Sequence, residues 1–221
     1  MKIDLIITED GSHTLSIPEL NEHYHSVHGA INESKHIYIE AGLNFVIKNK
    51  TNINVLEIGF GTGLNALLTF QEISKSNVFC EYTTVEAFPI EKEIYTKLNY
   101  SEKTGISNEI FLNFHNSAWN KKIFFSDKFI LYKIHETIQK TFFEQNYFDV
   151  VYYDAFGPNV QAEMWTKDVF SSIYNSMKVG AVLVTYSTKG DVKRALKESG
   201  FSVEKLQGPK GKREILRAYK L

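Results

Sequence analysis

The chain has a single cysteine, Cys80, so it can form no intrachain disulfide and no cysteine-based zinc site. No apolar run approaches the ~20 residues that a membrane span requires, so no membrane partner is expected. A secretory leader is not expected either, because the first residues alternate polar and apolar. Internal repeats and low-complexity segments are missing. Overall charge is nearly balanced, with a formal net charge of −1. Histidines are present at His23, His25 and His28, but no acid or cysteine stands around them at metal-ligand spacing. That favours a polar loop or substrate wall over a metal. What remains is 43% hydrophobic content in 221 residues, enough for one domain with a substantial core and in keeping with a cytoplasmic enzyme.

The richest stretch is Val55-Leu56-Glu57-Ile58-Gly59-Phe60-Gly61-Thr62-Gly63-Leu64. An apolar burst ends in an acid, glycines alternate at Gly59, Gly61 and Gly63, and residues from Leu64 to Ile73 then carry apolar positions at helical spacing. Strand, glycine turn and helix together let a ligand approach bare backbone and a helix N-terminus. A dinucleotide fingerprint would need its last glycine at position 64, which is leucine here. The G-x-G-x-G spacing behind Glu57 is instead the pattern of S-adenosylmethionine enzymes. Glu86 ends the next strand, 27 residues past Gly59, where a parallel βαβ unit puts an acid able to hold ribose hydroxyls. The alternatives are a plain strand-end glutamate for Glu86 and a tether of the turn's amides for Glu57.

From Ile53 onward strands and helices alternate. Strands are expected at 53–58, 80–86, 129–134, 148–153, 181–187, 201–206 and 214–219, and helices at 64–75, 89–98, 136–145, 162–177 and 190–199. This is an α/β pattern, a mostly parallel seven-stranded sheet covered on both faces. Gln207 to Lys212 forms a turn, so the last two strands make an antiparallel hairpin, as in the class I (Rossmann-like) methyltransferase fold. Residues 53–221 form this core. Residues 1–52 form an extension: a β-hairpin over 3–8 and 12–17, then a helix from about Glu33 to Lys48.

The strand from Phe148 ends at Asp154, followed by the turn Ala155-Phe156-Gly157-Pro158. A carboxylate at a strand's carboxyl end projects into the ligand crevice. It matters most when the nucleophile is an amine, which must shed or share its proton. Asp154 is therefore the candidate catalytic residue; capping of the turn is the alternative. Charge is uneven along the chain. From Lys189 onward ten Lys/Arg face four Asp/Glu, whereas the preceding residues carry fifteen against twenty-two. A basic end points to a polyanion-binding face or to a solvated helix face with a lysine-rich tail.

Four stretches are more particular: Y-H-S-V-H-G-A-I-N-E-S-K-H-I-Y (24–38), V-L-E-I-G-F-G-T-G-L-N (55–65), Y-Y-D-A-F-G-P followed by M-W-T (152–166), and G-D-V-K-R-A-L-K-E-S-G-F with G-K-R-E-I-L (190–216). On these the chain resembles the methyltransferase domain of the tRNA 5-methylaminomethyl-(2-thio)uridine biosynthesis enzymes, the MnmC/MnmD type. The resemblance implies methyl transfer from S-adenosyl-L-methionine to the aminomethyl group of the wobble uridine, in the anticodon loop of tRNA. With the chain ending at Leu221, it implies the stand-alone type. It also implies Asp154 as catalyst, with Glu57, Gly59, Gly61, Gly63 and Glu86 at the cofactor. Glu33 and Ser34 would lie by the cofactor or the modified base. Lys212 and Arg213 would face tRNA, and Tyr24, Phe156 and Trp165 would stack on the base or serve as core. Two departures stand out. D-A-F-G-P replaces the usual D-G-F-A-P, and the adenine-binding aspartate is missing, its place falling at Thr137 with Glu136 beside it. Other readings are an N-methyltransferase or aminopropyltransferase for a small-molecule or protein amine, and a silent S-adenosylmethionine- or tRNA-binding module.

Overall fold

Alternation within single strands builds two cores from one sheet. Val55, Val150, Tyr152, Val182 and Val184 face one side, while Leu56, Val151, Tyr153 and Leu183 face the other. The computed structural model describes residues 2–221. Its central sheet contains β4 (Asn52–Ile58), β5 (Phe79–Glu86), β6 (Lys122–Ser126), β7 (Phe129–His135), β8 (Phe148–Tyr153), β9 (Met177–Thr185), β10 (Ser202–Gln207) and β11 (Glu214–Tyr219). The spatial order is β10-β11-β9-β8-β4-β5-β7-β6. Pairings from β9 through β8, β4 and β5 to β7 are parallel, and β11 lies antiparallel between β10 and β9. The expected α/β class and terminal hairpin are therefore present, but the sheet has eight strands rather than seven. The added β6 pairs antiparallel with β7 at the edge. Phe124 there is 71% exposed, so β6 lacks the buried apolar run of the central strands β4, β5, β7, β8 and β9. Among the described residues, no helix is long and apolar enough to cross a membrane.

A second, three-stranded antiparallel sheet holds β1 (Asp4–Ile7), β2 (His13–Ile17) and β3 (Glu22–His23). The hairpin was expected; the short third strand was not. The helical run after it begins earlier than sequence periodicity implies: α1 (Ala30–Ser34), a π-helical turn series over Lys35–Leu43, then α2 (Asn44–Val46). The hairpin itself caps this run. Asn32 N donates to Asp10 Oδ2 at 3.0 Å, and Ile31 N donates to Ser12 Oγ at 3.3 Å. Free N–H groups of a first turn need such acceptors, and these come from another element.

The remaining helices are α3 (Leu64–Ser74), α4 (Lys92–Tyr95), α5 (Tyr100–Thr104), α6 (Asn108–Asn116), α7 (Lys167–Ser176) and α8 (Gly190–Glu198). The helix expected over 89–98 shrinks to α4. That expected over 136–145 is a single 3-10 turn at Ile138–Lys140, in a segment whose Thr137, Ile138 and Thr141 lose χ1 freedom in a helix. Thr166 splits the one expected over 162–177, its side chain accepting from Val169 N to start α7. In α6, Ser107 caps the start by accepting from Ile110 N, and the helix carries His115 under the glycine turn.

Candidate active site

The carboxyl ends of β4, β5, β7 and β8 open into one cavity of about 700 Å³, which residues 22–27 of the N-terminal extension also line. That volume is in the range for small-molecule and cofactor sites. The glycine turn forms its floor. Gly59 has φ +94° and donates its N–H to Val85 O at 3.0 Å, while Asp154 N donates to Ile58 O at 3.0 Å. The tips of β4, β5 and β8 are thus tied together by backbone. Gly61 (φ +47°) donates its N–H to Glu86 Oε2 at 3.0 Å, and Phe88 N donates to Glu86 Oε1 at 2.8 Å. Each Glu86 oxygen keeps accepting capacity for a ligand hydroxyl.

Asp154 stands on the cavity wall just past the end of β8. Tyr38 Oη donates to its Oδ1 at 2.5 Å and Asn65 Nδ2 donates to its Oδ2 at 2.8 Å. Burial pushes its carboxyl up to about 7, against the two hydrogen bonds; Glu33 raises it further and Lys212 lowers it. A carboxylate with that affinity for protons exchanges one near neutral pH. Because the Tyr38 hydrogen bond favours the ionised form, Tyr38→Phe should move the titration alkaline. A hydrogen bond to a charged group is worth about 1.5–3 kcal/mol, or about one to two pH units. Carboxyl-carbon NMR of Asp154 measures this directly, and an unmoved titration would remove Tyr38 from the account.

The other expected site residues separate into two groups. Tyr24, Glu33, Gly59, Gly61, Glu86, Glu136, Asp154, Phe156 and Lys212 line the cavity. Tyr24 sets its ring edge-on to Phe156 at 5.0 Å and covers Gly61, whose added Cβ would lie 3.1 Å from the ring. Burial, then the Glu86 charge, pushes the Tyr24 phenol up to about 12. Glu136 accepts from Thr137 N at 2.8 Å, with both residues on the wall where the adenine contact is expected. Lys212 lies 3.1 Å from Glu33 Oε1 and 5.1 Å from the Tyr186 ring centre, so it turns inward.

Five do not line it. Glu57 is fully buried behind the wall, beside Thr84, Asn65 and Tyr82, and burial holds its carboxyl well above the usual range against those neighbours. Ser34 is fully buried in α1, and Gly63 (φ +73°) forms the turn before α3. Trp165 is a prop: its Nε1 donates to Phe156 O at 2.8 Å and its ring packs on Tyr153. Arg213 is exposed outside the cavity. Sequence spacing separates none of these from their neighbours, because wall and support alternate residue by residue along the same motifs. Tyr38, Asn65, Tyr186, Gln161 and Met164 were not singled out. Tyr38, Asn65 and Met164 lie among the quoted residues of the stretches 24–38, 55–65 and 152–166, whereas Tyr186 and Gln161 carry no local cue.

The moved glycine of D-A-F-G-P is accommodated. Ala155 is buried and its carbonyl accepts from Tyr186 Oη at 2.8 Å, while Gly157 faces Glu22 and Tyr186. His23 and His25 also line the cavity, and burial pushes the His25 imidazole down to about 4.

A parallel sheet with a reversed terminal hairpin, a glycine turn and strand-end acids around one cavity defines the class I methyltransferase architecture. A family model described as S-adenosyl-L-methionine-dependent methyltransferase matches residues 107–221. The chain belongs to that family, whose methyl donor is S-adenosyl-L-methionine. Among curated relatives it is 32% identical over 214 residues to the tRNA 5-methylaminomethyl-2-thiouridine biosynthesis bifunctional protein MnmC of Campylobacter jejuni subsp. jejuni, covering 91% of this chain and 34% of that protein. The MnmC of Burkholderia multivorans is 28% identical over 224 residues, covering 96% and 34%. The chain spans about a third of the length of these relatives. The crystal structure of MnmC2 from Aquifex aeolicus superposes with a TM-score of 0.77 at 25% identity, covering 99% of this chain and 70% of that one. Spermidine synthase from Thermotoga maritima, with a TM-score of 0.61 at 18% identity, shares the fold.

Proposed function

We propose that the protein methylates the aminomethyl group of 5-aminomethyl-(2-thio)uridine at the wobble position of tRNA, giving 5-methylaminomethyl-(2-thio)uridine. The observation that carries this reading is Asp154. It is a carboxylate held by two donors, with a proton affinity raised to about 7, on the wall of a cavity that the glycine turn and a strand-end acid also line. Similarity to the methyltransferase part of proteins named for this tRNA modification supports the substrate.

The cavity residues fit the methyl donor. Glu86 offers free lone pairs to a diol, Gly59 and Gly61 bring the turn's backbone to the cavity wall, and Glu136 with Thr137 presents polar groups for a base. When bound, S-adenosyl-L-methionine supplies a methyl on a sulfonium. Asp154 then orients the acceptor amine and takes its proton as the nitrogen becomes cationic. Tyr38 and Asn65 hold the carboxylate in one rotamer, which is positioning at no cost during the reaction. Glu33 adds a second negative charge near the amine, and its Oε2 accepts from Ser26 N at 2.7 Å. Tyr24 and Phe156 offer faces to an unstacked uracil, as single-stranded bases require. The site of action is the cytoplasm, and the RNA element is the anticodon loop.

Nucleoside mass spectrometry of tRNA bearing 5-aminomethyluridine tests the reading. After incubation with the protein and S-adenosyl-L-methionine, that nucleoside should gain one methyl. No gain, with the methyl donor still bound in calorimetry, would turn the search to other amines.

A further inference from the structure

The basic residues after Lys189 do not form one face. Lys210 and Lys212 are drawn onto acids of the N-terminal extension, at 2.6 Å from Glu9 and 3.1 Å from Glu33. Lys220 is buried, donating to Asn146 and to Met177 O. Arg217 pairs with Glu204. Arg213 is exposed apart from these, and the other four cations gather in a groove of about 470 Å³ between α8 and β10, lined by Gly190, Lys193, Arg194, Lys197, Val203 and Lys205. Arg194 meets Asp191 and Lys205 meets Glu214 at 2.7 Å; Lys193 and Lys197, among the described residues, have no ion-pair partner.

We infer that this groove is a docking surface for RNA backbone phosphates, a conclusion that rests on the tRNA reading above. Three observations carry it. First, its lining is almost purely cationic. Val203 is the one apolar side chain, which leaves no anchor pocket of the kind a peptide partner uses, whereas phosphates need charge alone. Second, Lys193 and Lys197 stand one turn apart on α8, about 5–6 Å between Cβ atoms, and so follow a backbone rather than a single ion. Third, the groove adjoins the cavity. α8 begins just past the carboxyl end of β9, where Tyr186 lines the cavity. Lys189 donates to Asn159 Oδ1 at 2.5 Å on the loop that follows Asp154. RNA with its loop in the cavity meets this groove as it leaves the rim.

The test is tRNA binding by fluorescence anisotropy across a salt series, for the wild type, for K193E/K197E, and for K48E/K121E as a control of equal charge change elsewhere. Lys48 and Lys121 are exposed, Lys48 beyond α2 and Lys121 beside the edge strand β6. K193E/K197E should bind at least about tenfold more weakly, with the slope of log K against log salt reduced by about 2, while the control keeps wild-type values. Thermal melting of each protein with the methyl donor reports folding independently. If the wild type binds and methylates tRNA but K193E/K197E matches it or the control, the groove is overturned and the proposed function stands. If the wild type itself neither binds nor methylates tRNA, the proposed function falls and the groove falls with it.

Discussion

Asp154→Asn should lower kcat by about 10²–10⁴-fold, the usual worth of a positioned general base, while the dissociation constant for S-adenosyl-L-methionine changes little. The carboxylate now accepts from Tyr38 on one oxygen and from Asn65 on the other. Asparagine keeps one acceptor but turns its amide NH₂ toward one of those donors, so the constellation loses both its charge and one hydrogen bond. Leaving a buried donor unpaired costs about 1–3 kcal/mol, which melting will register separately from turnover. The pH dependence gives the sign. The ionised form is the active one and burial holds its pKa at about 7, so wild-type kcat rises through that pH, and the inflection vanishes in the variant. The same raised pKa makes Asp154 a stability cost that grows as pH rises from the ordinary carboxylate range toward 7. Wild-type kcat that stays flat from below to above neutrality would sink the base assignment.

The second large effect is expected from Gly59→Ala, which should abolish measurable binding of the methyl donor and lower Tm. Gly59 has φ +94°, a conformation that costs an L side chain about 1–3 kcal/mol. An alanine Cβ there would also lie 2.7 Å from the carbonyl oxygen of Asp154, a backbone atom that cannot swing aside. Relief requires the tips of β4 and β8 to part, breaking the hydrogen bond from Asp154 N to Ile58 O. Asp154 and the glycine turn move together, so one methyl group disturbs both. Calorimetric titration with the methyl donor decides it, and near wild-type affinity would mean the turn has slack that its hydrogen bonds do not suggest.

Much of this architecture is legible in the order of residues. The alternation of strand and helix, the terminal hairpin, the glycine turn and the strand-end acids Glu86 and Asp154 are all local patterns. Backbone geometry dictates each within a few neighbours: a period of two for strands, positive φ at glycines, an acid at the last strand position. Edge strand β6 escaped because its outward Phe124 hides the apolar rhythm. The start of α1 escaped because its caps, Asp10 and Ser12, belong to the hairpin.

The chemistry of the site was decided at long range. Tyr38 reaches Asp154 across 116 positions and Asn65 across 89, and neither distance has a periodicity that a strand or helix could reveal. Lys212 looks like a free phosphate contact in the sequence, yet folding sets it beside Glu33 at 3.1 Å. Sequence alone determined which backbone turns and strand-end acids exist, because those follow from local sterics and hydrogen bonding. Tertiary packing alone decided which side chains surround Asp154 and how tightly it holds a proton, because burial and partners are properties of elements brought together from distant parts of the chain.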